Sequence, residues 1–446
     1  MNSTVFSLLI ILLFSASTFG QTTPQEFSLE AAVAHAIKNN EQVKQADLDV
    51  KISAAKVRET TAIGLPKIDG EASMNYYIDI PTQVAEANTF NPTAPPGILV
   101  PLQFGLPYSA TAGISASQLI FDGSYFVGLK ASKAYLNYAQ LGKEKSEIDV
   151  KNSVSQTYFA VVSMQESLET LKENKLKIDQ SAKETKALYE AGFAEQQDAD
   201  QVRLTQSSMK YQIDVLERQK DHLTNLLKFQ MGIPVEQNIK LTSDFDEMIE
   251  GLLTSTIDQP LNVERHIDFR TIKQGEELSE LNLSAERTKS YPQLAAFFNH
   301  SQNGFSKELN DLWGNEFYPT TIAGLQLKVP IFSSGLRYYQ TKQAKLELEK
   351  TQSQKDMLTQ NLTVEALSAK ADYSSALENL TLAEENLALA ETIKKTTDAK
   401  YKEGLASSLD FAQAESQFLQ NMSAYYNAAQ ELFNAKISLD KALGNY

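Results

Sequence analysis

The sequence predicts a mainly α-helical chain that also carries membrane-spanning β-strands, arranged as a duplicated helix-strand-strand-helix-helix unit. Three observations predict this class. Motifs return at a constant spacing, short segments alternate strictly between apolar and polar residues, and two stretches of roughly 65 residues have the pattern of very long helices. We expect each chain to supply four strands to a transmembrane β-barrel on a long helical bundle.

The internal repeat is the firmest of these observations. Residues 189–192 return as 401–404, and Asp198 returns as Asp410, in both cases 212 residues later (404 − 192 = 410 − 198 = 212). A spacing held without insertion is rare by chance in a chain with only 19 glycines. The chain is therefore a tandem duplication that builds one architecture twice.

The predicted organisation follows from the duplication. A signal peptide is expected at 1–20, the first repeat at 21–232, an inter-repeat segment at 233–262 and the second repeat at 263–446. The predicted strands and hairpin turns are strands at about 66–79 and 108–121 with a turn at 190–196, and strands at about 292–301 and 320–332 with a turn at 402–408.

The predicted strands have one apolar and one polar face. From 67 to 78, apolar residues such as Ile68 and Met74 alternate with polar ones, which is the period of a β-strand. About ten residues suffice for a tilted strand to cross a bilayer. Six prolines between 80 and 107 indicate an exposed loop. Aromatic residues at the strand ends of the second repeat fit a membrane interface, or are ordinary strand-end aromatics: Phe305, Trp313, Phe317 and Tyr318.

Two very long helices are predicted at 123–189 and 335–401. Neither segment contains proline, and at 1.5 Å per residue each extends about 100 Å. Apolar residues spaced three and four apart, as at Tyr373, Ala376 and Leu380, form a heptad seam. Such seams need antiparallel neighbours, which the hairpin turns supply from the same chain.

The N-terminus predicts export. Residues 5–14 form an apolar run, with the small residues Thr18 and Gly20 at suitable cleavage positions, although no Lys or Arg precedes the run. The run is too short to cross a bilayer as a helix, and the chain has no other apolar stretch of about 20 residues. The mature chain is therefore expected to be secreted, periplasmic or inserted as a barrel.

Composition excludes several classes of function. Lys and Arg number 41 against 56 Asp and Glu, a net charge of −15, and no basic cluster is available for nucleic acid. The acidic excess fits either a solvated surface or a cation-attracting channel lining. The absence of cysteine excludes disulfides and thiolate metal sites. The sequence has four histidines: His35, His222, His266 and His300. They form no catalytic or metal-binding motif, so we expect no enzyme activity, no cofactor and no metal site.

The predicted strands also require self-association. A four-stranded open sheet would leave unpaired backbone groups in lipid, at several kcal/mol each, so copies of the chain must close it. Three copies would give twelve strands, a permissible even number, but the residues alone do not fix that number.

The order of elements, the duplication, and the Tyr-x-x-Gly motif followed by Asp six residues after the Gly resemble the TolC-like outer membrane efflux protein family over residues 27–446. The resemblance implies a homotrimer with a 12-stranded barrel in the bacterial outer membrane. It implies an α-helical tunnel that extends into the periplasm, with 233–262 contributing to an equatorial belt. The implied function is a passive exit duct of a tripartite efflux or type I secretion system. The implied partners are a periplasmic adaptor and an inner-membrane pump, either proton-driven or ABC.

The resemblance also implies that the hairpin turns dock the adaptor. The matching residues of the two turns are Gly192, Phe193 and Ala194, and Gly404, Leu405 and Ala406. Glycine permits such a turn, and an exposed apolar residue beside it suggests a contact surface. The alternative is that Phe193 and Leu405 only staple their own turns.

In family members the same turns close the tunnel, and the matching residues here are Tyr401, Asp410 and, in the first repeat, Asp198. Three copies of Asp410 would form a carboxylate ring that favours cations. The other interpretation of Asp410 is local, because Ser407 and Asp410 resemble a capping box. Asp198 follows Glu195 instead of a serine, so capping is expected to explain it less well.

Two positions depart from the family pattern. Ala406 stands where some family members carry an Arg that links the turns, and Gln413 stands where they carry a second ring carboxylate. The resting lock of this chain must therefore differ.

Two other classes of function compete with the channel. A periplasmic coiled-coil adaptor or scaffold without a pore would account for the helices but not for the alternating strands. An enzyme on a helical scaffold would need a catalytic motif, and the sequence contains none that we recognise.

Overall fold

The computed structural model describes residues 25–253 and 260–446, so the expected signal peptide at 1–20 lies outside the described residues. The helices are α1 (Leu29–Asn39), α2 (Glu41–Ile63), α3 (Gly123–Glu190), α4 (Gln196–Met231), α5 (Phe245–Leu253), α6 (Ile267–Thr288), α7 (Leu336–Lys402) and α8 (Ser408–Leu443). The strands are β1 (Gln25–Phe27), β2 (Lys67–Tyr76), β3 (Thr82–Glu86), β4 (Leu99–Gln103), β5 (Tyr108–Phe121), β6 (Ile239–Leu241), β7 (Gln293–Ser306) and β8 (Phe317–Lys328).

The chain divides into two compact units. Among the described residues, the helical unit comprises 25–43, 147–253 and 368–441. The sheet unit comprises Lys44–Ser146, Pro260–Leu367 and Ala442–Tyr446.

The sheet unit contains an antiparallel four-stranded sheet with the strand order β2-β5-β7-β8. Opposed residues share a face of the sheet, so the alternation of β2 extends to its neighbours. Met74 lies opposite Ala110 on one face, whereas Ser73 lies opposite Thr111 on the other. One face is thus largely apolar and the other largely polar, as expected of strands between lipid and water.

Three of the four main strands differ in their bounds from the sequence prediction, and β5 does not. β2 ends at Tyr76, β7 continues to Ser306, and β8 covers Phe317–Lys328. β7 pairs with β5 on one side and with β8 on the other. This pairing extends β7 through its C-terminal residues, which are mostly polar and lack the apolar alternation. β8 ends two residues before Pro330, and it contains Pro319, so a proline by itself does not end this strand.

The proline-rich segment predicted as a loop contains a short antiparallel hairpin of β3 and β4. Pro101 lies within β4, opposite Val84. A two-stranded hairpin has a free outer side on each strand, where a missing N–H is tolerated. Proline content therefore identified an exposed segment but concealed its pairing.

The helical unit contains residues 147–190 of α3 and 368–402 of α7, which are helices of 68 and 67 residues in all. Apolar residues of α3, α4 and α8 pack into one core: Leu168, Leu171, Ile178, Val202, Met209, Ile213, Phe411, Phe418 and Met422. The predicted seam of α7 is buried as well, at Tyr373, Ala376 and Leu380, so the long helices pack through their heptad seams. Among the described residues, no helix combines sufficient length with the apolar content needed to cross a membrane.

Two buried tyrosines hold short elements of the helical unit against the long helices. The Tyr158 hydroxyl of α3 donates to the carbonyl of Phe27 (2.8 Å) and contacts the hydroxyl of Ser243 (2.9 Å). The Tyr373 hydroxyl of α7 donates to the carbonyl of Leu252 at the end of α5 (2.8 Å). β1 and β6 pair in parallel beside the first of these contacts.

Candidate gate and docking site at the hairpin turns

The first hairpin turn joins α3 to α4 through a left-handed glycine. Gly192 has φ +82°, a conformation that is strained for residues with a Cβ. Its N–H donates to the carbonyl of Tyr189 (2.9 Å), and the N–H of Phe193 donates to the carbonyl of Leu188 (2.8 Å). These bonds satisfy the last carbonyls of α3 and end the helix.

The second turn, between α7 and α8, repeats this geometry. Gly404 has φ +69°, its N–H donates to the carbonyl of Tyr401 (3.0 Å), and the N–H of Leu405 donates to the carbonyl of Lys400 (2.7 Å). The duplication seen in the sequence therefore extends to the hydrogen bonds of the turns.

Each turn exposes one large apolar side chain. Phe193 is 83% exposed and Leu405 is 78% exposed, while the adjoining Ala194 and Ala406 are half-buried. A residue that stapled its own turn would be covered by it. The staple interpretation is therefore wrong, and both turns present an uncovered apolar group.

Asp410 forms the capping box that the sequence suggested. The Ser407 hydroxyl accepts from the N–H of Asp410 (3.1 Å), and the Asp410 carboxylate accepts from the N–H (2.9 Å) and the hydroxyl (2.7 Å) of Ser407. The Ser407 hydroxyl, followed by its N–H, holds the pKa of Asp410 below its usual value. Asp410 is exposed and ionised at neutral pH, and its bonds to Ser407 lie inside its own turn.

The expectation that capping explains Asp198 poorly is wrong. The Asp198 carboxylate accepts from the N–H of Glu195 (3.4 Å), in the way that Asp410 accepts from Ser407. A serine at the first position of the box is not needed for this bond, because the donor is a backbone N–H.

Asp198 also connects the two hairpins. Its second carboxylate oxygen accepts from the hydroxyl of Ser408 (2.5 Å), and Ser408 is buried at the start of α8. A hydrogen bond to an ionised acceptor is stronger than one between neutral groups. We call this contact, between α4 and α8, the Asp198–Ser408 tie.

Tyr401 makes a second connection, from α7 to α3. The Thr185 hydroxyl donates to the carbonyl of Ser181 (2.9 Å), so the Tyr401 hydroxyl is the donor in its 2.7 Å bond to Thr185. The Tyr401 ring stacks on Phe411, with centroids 5.0 Å apart. Burial raises the pKa of Tyr401, and the Asp198 charge adds to that rise, while the Thr185 bond lowers it. Tyr401 therefore stays protonated, and its hydroxyl donates a hydrogen bond to Thr185. We call this contact, between α7 and α3, the Tyr401–Thr185 tie.

The structure thus brings Asp198 and Tyr401 together and leaves Asp410 outside both ties. Sequence reasoning missed Thr185 and Ser408. A signal existed for Thr185, because Thr397 occupies the matching position of the second repeat, 212 residues later (397 − 185 = 212). Ser408 matches Gln196 and offered no such signal. Among the described residues, His, Asp and Glu form no group of three or more that could hold a metal ion.

Comparisons with known proteins agree with this architecture. The family described as outer membrane efflux protein matches residues 32–229 and 262–445. The CmeC outer membrane channel of Campylobacter jejuni has a similar structure, with a TM-score of 0.72 and 20% identity over 94% of this chain and 85% of that chain. VceC of Vibrio cholerae has a TM-score of 0.68 and 16% identity over 93% and 96% of the two chains.

A third similar structure is the open state of the MtrE outer membrane channel of Neisseria gonorrhoeae, with a TM-score of 0.67 and 15% identity over 93% of this chain and 88% of that chain. A comparison of the sequence with curated proteins gives no match. Channels of the matched family form trimers, work with adaptors and inner-membrane pumps, and are not enzymes. The two matched segments together cover most of the chain, which therefore belongs to the outer membrane efflux protein family and is an exit duct of the outer membrane that extends into the periplasm.

Proposed function

We propose that three copies of this chain form a passive exit duct whose periplasmic end is closed by the two hairpin turns of each copy. A periplasmic adaptor docks on the turns and opens the duct toward an inner-membrane pump. The observation that carries this proposal is the pair of ties at the turns, which holds the two hairpins together beside two uncovered apolar side chains.

The barrel end of the duct is supported by the edges of the sheet. Among the described strands, β2 pairs with β5 alone and β8 pairs with β7 alone, so each has an unpaired side. Unpaired backbone groups cost several kcal/mol each in lipid. Pairing of β8 with β2 of the next copy removes both edges, and three copies supply twelve strands.

The rest of the chain is organised as two structural repeats, residues 21–232 and 263–446. Residues 233–262 and β1 contribute to an equatorial belt around the helices. The support is the pair of hydroxyl bonds by which Tyr158 and Tyr373 hold Phe27, Ser243 and Leu252.

The docking surface consists of the residues next to the two turns: Gly192, Phe193, Ala194, Gly404, Leu405 and Ala406. Phe193 and Leu405 supply apolar area that is uncovered in the free chain. Burial of such area drives association with a partner. The glycines hold the turns in the left-handed conformation that keeps both side chains outward.

Asp410 gives the closed end its ion preference. Three exposed, ionised carboxylates around one axis attract cations and repel anions. Because Asp410 belongs to neither tie, it acts on the ions that pass and not on the lock.

The docking proposal is tested with the double variant Phe193→Glu/Leu405→Glu, since two charges prevent burial of the turns against an apolar partner surface. Trimers of the variant should assemble and conduct in planar bilayers, while cells that depend on the duct lose export. Phe90→Glu is the matched control, because Phe90 is also an exposed aromatic (61%) but lies between β3 and β4. Full export by the double variant would refute docking on the turns.

A further inference from the structure

A cluster of ionisable and polar side chains lies inside the core of the helical unit. Asn174 of α3, Lys394 of α7 and Glu415 of α8 are 4%, 7% and 1% exposed. Lys394 continues the heptad seam of α7, seven residues after Leu387, and Glu415 lies between the core residues Phe411 and Phe418. These are positions where an apolar residue is the ordinary choice.

Glu415 is the centre of the cluster. One of its oxygens accepts from the amide of Asn174 (2.8 Å), and the other lies 3.2 Å from the ammonium of Lys394. Lys394 also lies 3.6 Å from Asp398 on the next turn of α7, and over the ring of Phe418, 5.2 Å from its centroid. Glu415 therefore joins the second hairpin, formed by α7 and α8, to α3 of the first.

The cluster carries an excess negative charge when all of its groups are ionised. Two carboxylates, Asp398 and Glu415, face one ammonium, Lys394. The contribution of α3 is the neutral amide of Asn174. The side chains of α4 that share a cavity with Glu415 are also neutral: Gln201, Leu204, Thr205, Ser208 and Gln212. A buried charge without compensation is costly, so this arrangement favours uptake of one positive charge.

The cluster also contains hydrogen-bond acceptors that lack a donor. Two buried acceptors have no donor among the described residues: the amide oxygen of Asn174 and one carboxylate oxygen of Asp398. A proton on Glu415 would remove the excess charge and add one O–H donor. That donor can bond the Asn174 oxygen after the amide rotates by half a turn, because the two orientations of an amide differ little in shape.

A solvent-open cavity of about 590 Å³ lies beside Glu415, between α4 and α8, and is lined mainly by hydroxyl and amide side chains. Such a cavity holds several waters, and these can carry a proton from solvent to the carboxylate. Burial, and then the charge of Asp398, raise the pKa of Glu415, while Lys394 and Asn174 lower it with the net direction upward.

We propose that Glu415 is a proton-binding site at the junction of the two hairpins and that its proton stabilises their joined arrangement. Because Glu415 prefers its proton while buried, and would ionise in water if the hairpins separated, acid favours the joined state. The consequence for transport rests on the proposed function: the duct should close more firmly as pH falls.

The proton is measured directly by infrared titration of the full-length trimer in lipid. The part of the protonated-carboxyl band that is present in wild type and Glu385→Gln but absent from Glu415→Gln should titrate with a midpoint above pH 4.5, the ordinary pKa of Glu. Glu385 is a suitable control because it is an exposed carboxylate of α7. Absence of a difference between wild type and Glu415→Gln, or a difference band with its midpoint below that pH, would overturn the assignment.

The coupling is measured as single-channel conductance against pH. Wild type and Glu385→Gln should conduct less as pH falls. Glu415→Gln, which is permanently neutral, should lose this part of the pH dependence and conduct less than wild type at neutral pH. A full wild-type pH dependence in Glu415→Gln would overturn the coupling. If the proposed gate is wrong, removal of the two ties will not change the conductance. The infrared titration will still decide whether Glu415 binds the proton.

Discussion

Removing both ties should open the duct without unfolding it. Ser408→Ala deletes the donor to Asp198, and Thr185→Val deletes the acceptor of Tyr401. Both changes preserve approximate side-chain size, and both residues lie in the helices next to the turns and outside the main core cluster. The double variant therefore isolates the contacts that hold the hairpins together.

The magnitude follows from the chemistry of each tie. The bond from Ser408 has an ionised acceptor and contributes about 2 kcal/mol, while the neutral bond from Tyr401 contributes about 1 kcal/mol. About 3 kcal/mol per chain corresponds to a change of roughly 100-fold in the equilibrium between joined and separated hairpins. The effect is larger if three copies open together.

The assay is single-channel recording of purified trimers in planar bilayers. We expect low conductance for wild type, intermediate values for each single variant, and a large rise for Ser408→Ala/Thr185→Val. Ser207→Ala is the control, since the exposed hydroxyl of Ser207 bonds the carbonyl of Arg203 in its own helix. Unchanged conductance in an intact double-variant trimer would refute the assignment of the gate to these contacts.

Two further predictions concern ion preference and the belt. Asp410→Ala should lower the cation preference, measured as reversal potential in a salt gradient, with little change in conductance. The wild-type preference should persist in mild acid and fade only as pH falls through the lowered pKa of Asp410, whereas loss of preference near neutral pH would contradict this. Tyr373→Phe leaves the carbonyl of Leu252 without its donor, at about 1.5 kcal/mol, so hydrogen exchange in α5 should accelerate roughly tenfold. Tyr211→Phe, on an exposed ring (69%) of α4, should leave that exchange unchanged.

The periodic parts of the fold could be predicted from the sequence. A period of two located the strands, a heptad seam located the long helices, and the 212-residue spacing located both turns. Strand ends were less predictable, because pairing of β7 on both sides extends it through polar residues. The hairpin of β3 and β4 was hidden by its prolines.

The contacts of the site were harder to predict, because they join residues on different helices. Asp198 was recognised by its position in the repeat, but its partner Ser408 lies 210 residues away and matches no polar pattern. Lys394 and Glu415 could have been found by extending the seams of α7 and α8, where a charged residue interrupts an apolar series. Such pairs form only when the helices pack together, so the sequence pattern of one helix does not identify the partner on another.

The proposed duct requires three identical copies to close one barrel through their sheet edges. Because the chain has no cysteine, Ala72→Cys in β2 can be combined in turn with Thr321→Cys, Ala323→Cys or Leu325→Cys in β8, and each variant oxidised in the membrane. Two strands separate β2 from β8 within a chain, a distance of about 14 Å that a disulfide cannot bridge. We predict that at least one combination gives covalent dimers and trimers and nothing larger. Uncrosslinked monomers in all three variants, or a ladder that continues beyond three copies, would contradict closure of the barrel by three copies.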